Sequence, residues 1–540
     1  MAKMSCGDAV TQSLISHGVD TVFGLPGAQV YGLFDAFHRA GHRLTVIGAR
    51  HEQATAYMAY GYARASGKVG VCAVVPGPGV LNAGAGLCTA AGANLPVLCL
   101  TGQVPSHFLG QGRGHLHELP DQRATLRSFI KWAERIDHPA QASHIIAEAF
   151  KQMQSGRNGP AAVEIPWDVF GQVGEVSEVK PLPNTLPMAP DADRVNAAAQ
   201  LVASAKRPMI VVGSGAIGAR SQVLALAERL RAPVLAFRGG RGIVPDDNEL
   251  SVNGVAAYEL WHDTDLVIAI GTRLELTHMR WQRRPAQQKL LRIDIDPREL
   301  VRLSADVGLV ADARPATAML VEQLALMAIN AQLSVDTIRA AKASALTKIQ
   351  SVEPYYSYLC AIREVLPRDG ILVKDLCQAG YTSYYGFPVY EPRTYITSGY
   401  QGTLGYGFMA ALGAKVARPD TPVVAIAGDG GFMFGVQELA TAVQYGINVV
   451  TIVFDNNAYG NVRRDQHNHY QGRVIASDLH NPDFIALLES FGAAAYRAES
   501  AAALKQTLQR ALAQRRPAVI HVPVDSDTEG NPWPLLHPAP

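Results

Sequence analysis

VVAIAGDGGFMFGVQELATAVQYGINVVTIVFDNNAYG, residues 423–460, decides how the rest of the chain is read. A short apolar run over 423–427 ends at Gly428-Asp429-Gly430. A helical pattern covers 436–445, and a second, β-branched apolar run over 449–454 ends at Asp455-Asn456-Asn457. Strand, crossover helix, strand is the repeating unit of a parallel sheet. Both polar clusters then fall at the carboxyl ends of neighbouring strands, where open α/β sheets bind ligands. The donors are oxygens: the Asp429 carboxylate, the Asn456 amide and backbone carbonyls near Ala458. Such a set suits a magnesium ion that also holds phosphate oxygens. Gly428, Gly430 and Gly431 let backbone amides close on a phosphate. Asp, Asn and Gly are also ordinary turn formers. The spacing of Asp429 and Asn456 across one βαβ unit sets the metal reading above a pair of turns.

Around that stretch, the 540 residues carry 48 basic and 47 acidic side chains, a net charge of +1. That balance leaves no footprint for nucleic acid or an anionic membrane. The N-terminus shows no secretory pattern, and no apolar run approaches a membrane span. Cys6, Cys72, Cys88, Cys99, Cys360 and Cys377 show neither a CxxC pair nor metal-ligand spacing. They read as small buried hydrophobes of a reduced, cytoplasmic protein.

The first segment, 1–173, alternates strands over 21–25, 44–47, 69–75 and 97–101 with helices over 7–17, 30–39 and from about 52 to 65. This is a doubly wound pattern. Glu52 opens a helix just after a strand, where the helix dipole alone favours an acid. Its surroundings add a second reading. Arg50-His51-Glu52-Gln53-Ala54, Gly61-Tyr62-Ala63-Arg64, Pro76-Gly77-Pro78-Gly79-Val80-Leu81-Asn82 and Thr101-Gly102-Gln103 resemble the pyrimidine-binding domain of thiamine-diphosphate-dependent enzymes. The Gly-Asp-Gly to Asn-Asn stretch resembles the signature of the same family.

The resemblance implies three doubly wound α/β parallel-sheet domains: pyrimidine-binding over 1–173, middle Rossmann-like over 194–327 and diphosphate-binding over 355–530. It implies that the Glu52 carboxyl pairs with the N1′ atom of the cofactor's aminopyrimidine, with Pro26, Gly27, Pro76 and Asn82 around it. It assigns magnesium to Asp429, Asn456 and the Ala458 carbonyl. The diphosphate falls to Gln378, Gly402, Thr403, Gly428, Gly430, Gly431, Tyr459 and Gly460. Leu404 wedges between the two cofactor rings. In the family the Glu and the metal site come from different subunits, so a homodimer is the smallest active unit and a homotetramer the expected assembly.

Residues 175–193 hold four prolines and no periodicity, and read as an extended linker. In the second segment Gly213-Ser214-Gly215-Ala216-Ile217-Gly218 follows a strand over 209–212, nominally a dinucleotide fingerprint. The next strand ends in Arg238-Gly239-Gly240 without the ribose-binding acid, which argues against a nicotinamide site. Gly271-Thr272-Arg273 and Arg292-Ile293-Asp294-Ile295-Asp296-Pro297 resemble the family's middle domain. That domain holds FAD in acetohydroxyacid synthases, an adenosine nucleotide in some relatives and nothing in others. The synthase Asp-Asp-Arg is replaced here by Glu275-Leu276-Thr277, which counts against FAD. A helical stretch over 316–352 leads into the third segment.

The whole chain is most similar to the acetohydroxyacid (acetolactate) synthases. Ala28 separates it from pyruvate decarboxylase, and Gln29 from benzaldehyde lyase. It departs from the synthases at Thr277, which replaces their substrate-selecting Arg, and at Asn461 and Asp465, which replace Met and Trp. The loop over 110–118 brings two imidazoles, His115 and His117, which titrate near neutral pH and read either as proton shuttles or as exposed surface. Arg463, Arg464, Asp465, His467 and His469 read either as an entrance lining or as solvated helix charge. The tail over 531–537 reads either as a lid or as a loose terminus. The expected function is a thiamine-diphosphate carboligase that decarboxylates a 2-keto acid to an enamine and joins it to an acceptor. A 2-keto acid decarboxylase or a diketone hydrolase or lyase on the same cofactor is the alternative. A flavin or nicotinamide oxidoreductase belongs to a different class, and Glu52 with Asp429 and Asn456 speaks against it, because hydride transfer needs none of them.

Overall fold

The computed structural model describes residues 2–181, 188–281, 285–526 and 529–538. Its apolar runs form three six-stranded sheets, each parallel throughout. The first orders its strands as Thr45–Gly48, Thr21–Gly24, Gly70–Val74, Val97–Gln103, Ala161–Pro166 and Trp132–Arg135. The second runs Ser251–Val252, Val234–Ala236, Pro208–Val212, Leu266–Ile270, Lys289–Asp294 and Val307–Val310. The third runs Tyr395–Ile396, Ile371–Lys374, Val423–Gly428, Val450–Asp455, Ala518–Pro523 and Ala494–Arg497. The central strands are buried on both faces, which is why they read as continuous apolar runs rather than as alternations. The expected α/β fold of three doubly wound sheets is the observed one.

Two expectations need correction. The helical stretch over 316–352 is broken: helix Ala313–Ala325 stops, and helix Val335–Gln350 starts afresh on the Ser334 cap, whose hydroxyl accepts from Thr337 N–H at 3.1 Å. The break falls at exposed Leu326, just before an irregular segment that has no buried face to hold a helix. The linker is shorter than 175–193. Strand Val173–Val176 pairs antiparallel with Ala2–Ser5, and helix Ala192–Ser204 begins inside the linker's C-terminal end. Residues 182–187 of that linker lie outside the described residues.

The first and third domains meet helix to helix. Helix Glu52–Ser66 lies against helix Tyr406–Ala417. Gly413 faces the Met58 carbonyl so closely that a Cβ there would sit 2.5 Å from the carbonyl carbon. Gly61 does the same against Ala410, at 2.7 Å. Each glycine lets the other helix's backbone in, and Tyr57, Tyr60 and Tyr406 fill the volume on either side. Among the described residues no helix is long and apolar enough to cross a membrane.

Candidate functional site

The first half of the site forms at the carboxyl ends of the first sheet. Strand Thr45–Gly48 delivers the chain to Glu52, the first residue of its helix. Strand Gly70–Val74 delivers it to the turn at 76–79, and Gly79 backs directly onto the Glu52 side chain. Asn82, one turn into helix Pro78–Ala93, donates its Nδ2–H to Glu52 Oε2 at 3.0 Å. The bond fixes one carboxylate oxygen and leaves the other for a ligand. Gly77 holds φ +60°, and a Cβ there would lie 2.5 Å from the His117 carbonyl oxygen. Only glycine lets the histidine loop sit down on this turn. Pro76 is buried beneath it, whereas Pro26 and Gly27 sit at the open rim.

A buried side chain ties that loop to the first sheet, while Glu118 accepts from the Gly112 and His115 N–H groups within it. Gln29, at φ 72°, donates Nε2–H to the Leu116 carbonyl at 2.8 Å and places its Oε1 3.0 Å from His117 Nδ1. Its Nε2 is also 3.3 Å from His115 Nδ1. Both histidines are therefore anchored beside the Glu52 turn rather than free in solvent. Burial pushes the His117 pKa below its ordinary value; the Glu52 charge pulls it up in part, and His115 opposes that. His115 rests its ring on Phe108, 4.9 Å away. Beneath the loop, Gln122 accepts from Gly77 N–H at 2.8 Å and donates to Glu164 at 3.0 Å. Gln103 donates to the same buried carboxylate.

The second half forms at the carboxyl ends of the third sheet. Asp429 is 2% exposed, at the first turn after strand Val423–Gly428. Burial pushes its pKa up to about 6; an Asn481 hydrogen bond opposes the rise and the Asp455 charge adds to it. Asn481 Nδ2–H donates to Asp429 Oδ2 at 2.7 Å and to Asp455 Oδ1 at 2.9 Å, so one amide tethers both acids. Burial works against the Asp455 charge too, but His521 Nε2 at 2.8 Å holds that carboxyl below the usual range. Asn456 turns its Nδ2–H toward Glu529, at 3.3 Å, and among the described residues no hydrogen bond takes its Oδ1. Backbone bonds from Tyr459 N–H to Ser477 O and from Leu479 N–H to Asn457 O clamp this loop, and among the described residues neither uses the Ala458 carbonyl. The Tyr459 ring covers Gly430. Gly460 starts helix Gly460–His469 against the Asn456 amide.

Asp375, fully buried at the end of strand Ile371–Lys374, accepts from Leu376 N–H at 2.7 Å and from the Gly405 and Gly407 N–H groups at 3.1 and 3.2 Å. It thereby sets the turn that carries Gly402, Thr403 and half-buried Leu404. Gly431 lies 3.5 Å from the same carboxylate when given a Cβ. Thr403 Oγ1 sits 3.2 Å from Thr89 Oγ1 of the first domain. Gln378 opens helix Gln378–Gly386 and is buried beside Arg464.

Asp429, Asn456 Oδ1 and the Ala458 carbonyl make an all-oxygen donor set with one carboxylate. It fits a hard cation whose remaining ligands are phosphate oxygens and water. Among the described residues no cluster of three or more His, Cys, Asp or Glu side chains could hold a metal by itself. Hydrogen bonds tie Glu52 to Asn82 and Asp429 to Asn481, and within the chain Gln53 Nε2–H donates to the Phe434 carbonyl, at the end of the helix that Asp429 opens, at 2.9 Å. Exposed apolar side chains border both halves: Tyr31, Leu81 and Leu116 on the first, Val462, Tyr470 and Ile475 on the second.

The tail is packed. Trp533 donates its indole N–H to Asn461 and lies tilted against Tyr381, ring centroids 4.7 Å apart, and His537 Nε2 lies 2.9 Å from an Arg280 guanidinium nitrogen. His467 and His469 stand exposed on the outer part of helix Gly460–His469, with Asp465, so the solvated reading holds for these three. Where the middle domain meets the other two, a cavity of about 390 Å³ is lined by Gly213, Gly215, Arg238, Arg273 and Asp294, with Arg157 of the first domain and Tyr400 of the third among others. Glu275 closes one end, paired with Arg238 at 2.5 Å and Arg280 at 2.7 Å. Thr277 is buried there, its Oγ1 2.8 Å from His278 Nδ1.

Sequence reasoning missed Gln29 as an anchor, Asn481, His521 and Glu529. Asn481 stands in Asn-Pro-Asp before helix Phe484–Ser490, where Asp483 supplies the ordinary cap and hides the role of its neighbour. His521 sits in an apolar strand and only becomes a partner for Asp455 once strand order is known.

Comparison with known proteins places all three domains. Residues 4–125 match the N-terminal TPP-binding domain of thiamine pyrophosphate enzymes, 195–320 their central domain, and 377–522 their C-terminal TPP-binding domain. A probable 2-ketoarginine decarboxylase of Pseudomonas aeruginosa is 33% identical over 95% of this chain and 92% of its own length. A probable acetolactate synthase large subunit of Methanocaldococcus jannaschii is 33% identical over 97% of this chain and 92% of its own. The acetolactate synthase isozyme 3 large subunit of Escherichia coli is 30% identical over 99% of this chain and 97% of its own.

Proposed function

This chain belongs to the thiamine pyrophosphate enzyme family, and we propose that it is an acetolactate synthase-like carboligase that acts on 2-keto acids. One observation carries the reading: the Glu52–Asn82 pair and the Asp429, Asn456 and Ala458 oxygens stand preformed at the strand ends of the first and third sheets. When bound, thiamine diphosphate supplies a carbon nucleophile for the substrate carbonyl, which no side chain provides. Asp429, Asn456 and the Ala458 carbonyl would hold magnesium against the diphosphate, with Gln378, Gly402, Thr403, Gly428, Gly430, Gly431, Tyr459 and Gly460 around it. Glu52 would hold a proton at the pyrimidine N1′ atom, and Asn82 keeps its carboxylate aimed there. Leu404 would wedge between the two rings of the cofactor. His117, neutral at pH 7 because burial lowers its pKa, is available to accept a proton next to Glu52. Pro26, Gly27 and Pro76 shape the ring pocket.

Two copies of the chain complete each centre in this reading, and the exposed apolar side chains bordering the half-sites support a homodimer or a homotetramer. FAD is not assigned: the Arg238–Glu275–Arg280 cluster fills one end of the middle cavity. A second reading, plain decarboxylation, is favoured by Thr277, a buried residue that stands in place of the synthases' substrate-selecting Arg. Product mass from pyruvate and a panel of 2-keto acids, with thiamine diphosphate and magnesium added and then withheld, decides between them. A hydroxyketone formed only with the cofactor supports the carboligase, and aldehyde alone supports the decarboxylase. Full turnover by Glu52→Gln would overturn both.

A further inference from the structure

We propose that Arg464 binds an oxyanion at the catalytic mouth, either the carboxylate of the keto acid or the terminal phosphate of the cofactor. This deepens the thiamine reading above and rests on it. Arg464 lies one helical turn past Gly460 and turns back over Gln378. With its oxygen toward Arg464, the Gln378 amide accepts two guanidinium N–H groups at 3.0 and 2.9 Å. The remaining bond goes to Asn461 Oδ1 at 2.7 Å. All these acceptors are neutral amide oxygens. The neighbouring Arg463, by contrast, pairs with Asp478 at 2.9 Å.

Among the described residues no carboxylate lies within 4 Å of Arg464. Glu529 and Asp465 act on it only through space. Glu529 is committed elsewhere, accepting from Tyr355 O–H at 2.5 Å and from the Asn456 amide. A half-buried guanidinium without an anion is costly to keep, and the cost falls when an anion arrives. The fork geometry of Arg suits two oxygens of one carboxylate or phosphate.

The box around it is built. Gln378 forms its floor, the tilted Tyr381 and Trp533 rings form one wall, and the Trp533 indole shares the Asn461 oxygen with Arg464. His537 ties the tail to Arg280 of the middle domain, holding that wall in place. Gly460 abuts the Asn456 amide one turn before Arg464, and Glu529, which acts on Arg464 through space, accepts from that same amide, so the guanidinium lies beside the metal donors.

The test uses the full-length chain with Arg464→Gln and Arg464→Lys. Binding of magnesium with thiamine diphosphate, and with inorganic pyrophosphate, is followed by calorimetry. Turnover is followed with pyruvate or the best keto acid of the panel, and with 2,3-butanedione, which has no carboxylate. If phosphate is the ligand, R464Q weakens pyrophosphate and cofactor binding by roughly 10- to 100-fold, and R464K restores part of it. If carboxylate is the ligand, both affinities stand while KM for the keto acid rises by roughly 10- to 100-fold and butanedione turnover is unchanged. Either result supports the proposal. Wild-type binding with an indifferent R464Q overturns the proposal alone. If R464Q loses thermal stability, R464K decides: unchanged binding and KM overturn the proposal, and a selective loss supports it. A wild-type chain that binds no thiamine diphosphate overturns the cofactor reading and the proposal together.

Discussion

Replacing Gly413 with alanine should separate the first and third domains. The new Cβ would lie 2.5 Å from the Met58 carbonyl carbon and 2.7 Å from its Cα, whereas ordinary contacts begin at 3.4 Å. The obstruction is helix backbone, so no rotamer change relieves it, and the helices must part by about an ångström. Alanine returns about 1 kcal/mol of helix propensity. Overpacking of this kind costs about 3 kcal/mol, leaving a net loss of about 2 kcal/mol. Gly84 is the control. It also lies within a helix, but a Cβ there meets only Phe129 Cζ, at 3.8 Å. Gly84→Ala should be neutral or stabilising by up to about 1 kcal/mol. Urea unfolding of both variants and the wild type measures this. A Gly413→Ala protein as stable as wild type, or a Gly84→Ala protein that falls as far, would refute the backbone-contact reasoning.

Other expectations follow from single groups. Burial raises the Asp375 pKa from 3.8 to about 6, so its contribution to stability is present below pH 3.8 and is lost as pH rises through 6. A shift of about 2 units makes that loss about 3 kcal/mol, and Asp375→Asn should flatten the apoprotein's urea midpoint against pH over that window. Glu52→Gln removes the charge that raises the His117 pKa, so the His117 midpoint, already below 6.5, should move further down in a histidine-labelled NMR titration. Asn481→Ala leaves Asp429 and Asp455 without their shared donor and should cost the apoprotein about 1–3 kcal/mol. Calorimetry with magnesium and thiamine diphosphate should show that loss recovered on binding.

Much of this was legible because it repeats at short range. Val423–Gly428 and Val450–Asp455 announce themselves by composition, and the polar residues just beyond them must then sit at strand ends. Glu52, Asp429 and Asn456 each follow their strand within a few residues. What was hidden depends on strand order and on distant loops. His521 reaches Asp455 because strand Ala518–Pro523 is the neighbour of Val450–Asp455, a pairing no local pattern encodes. Gln29 meets the histidine loop across 86–88 positions, and nothing in Ala28-Gln29-Val30 marks it as an anchor. Helix ends failed where no buried face continued, as at Leu326.

The reciprocal seating of Gly61 and Gly413 bears on how the chain can be recombined. Two domains separated in sequence by the whole middle domain form one mechanical unit, and a chimera that took them from different parents would have to match both helix surfaces at once. The middle domain is built into the third: one apolar core runs through both, Trp261, Leu276 and Ile338 with Tyr355, Tyr384 and Phe387, and Arg241 donates to the Ser383 and Phe387 carbonyls, while Arg157 with Asp296 and Glu299 ties it to the first. Exchanging it would therefore mean matching a core shared with the third domain, not only a few ion pairs. The order of modules along the chain and the order in which they depend on one another are different orders.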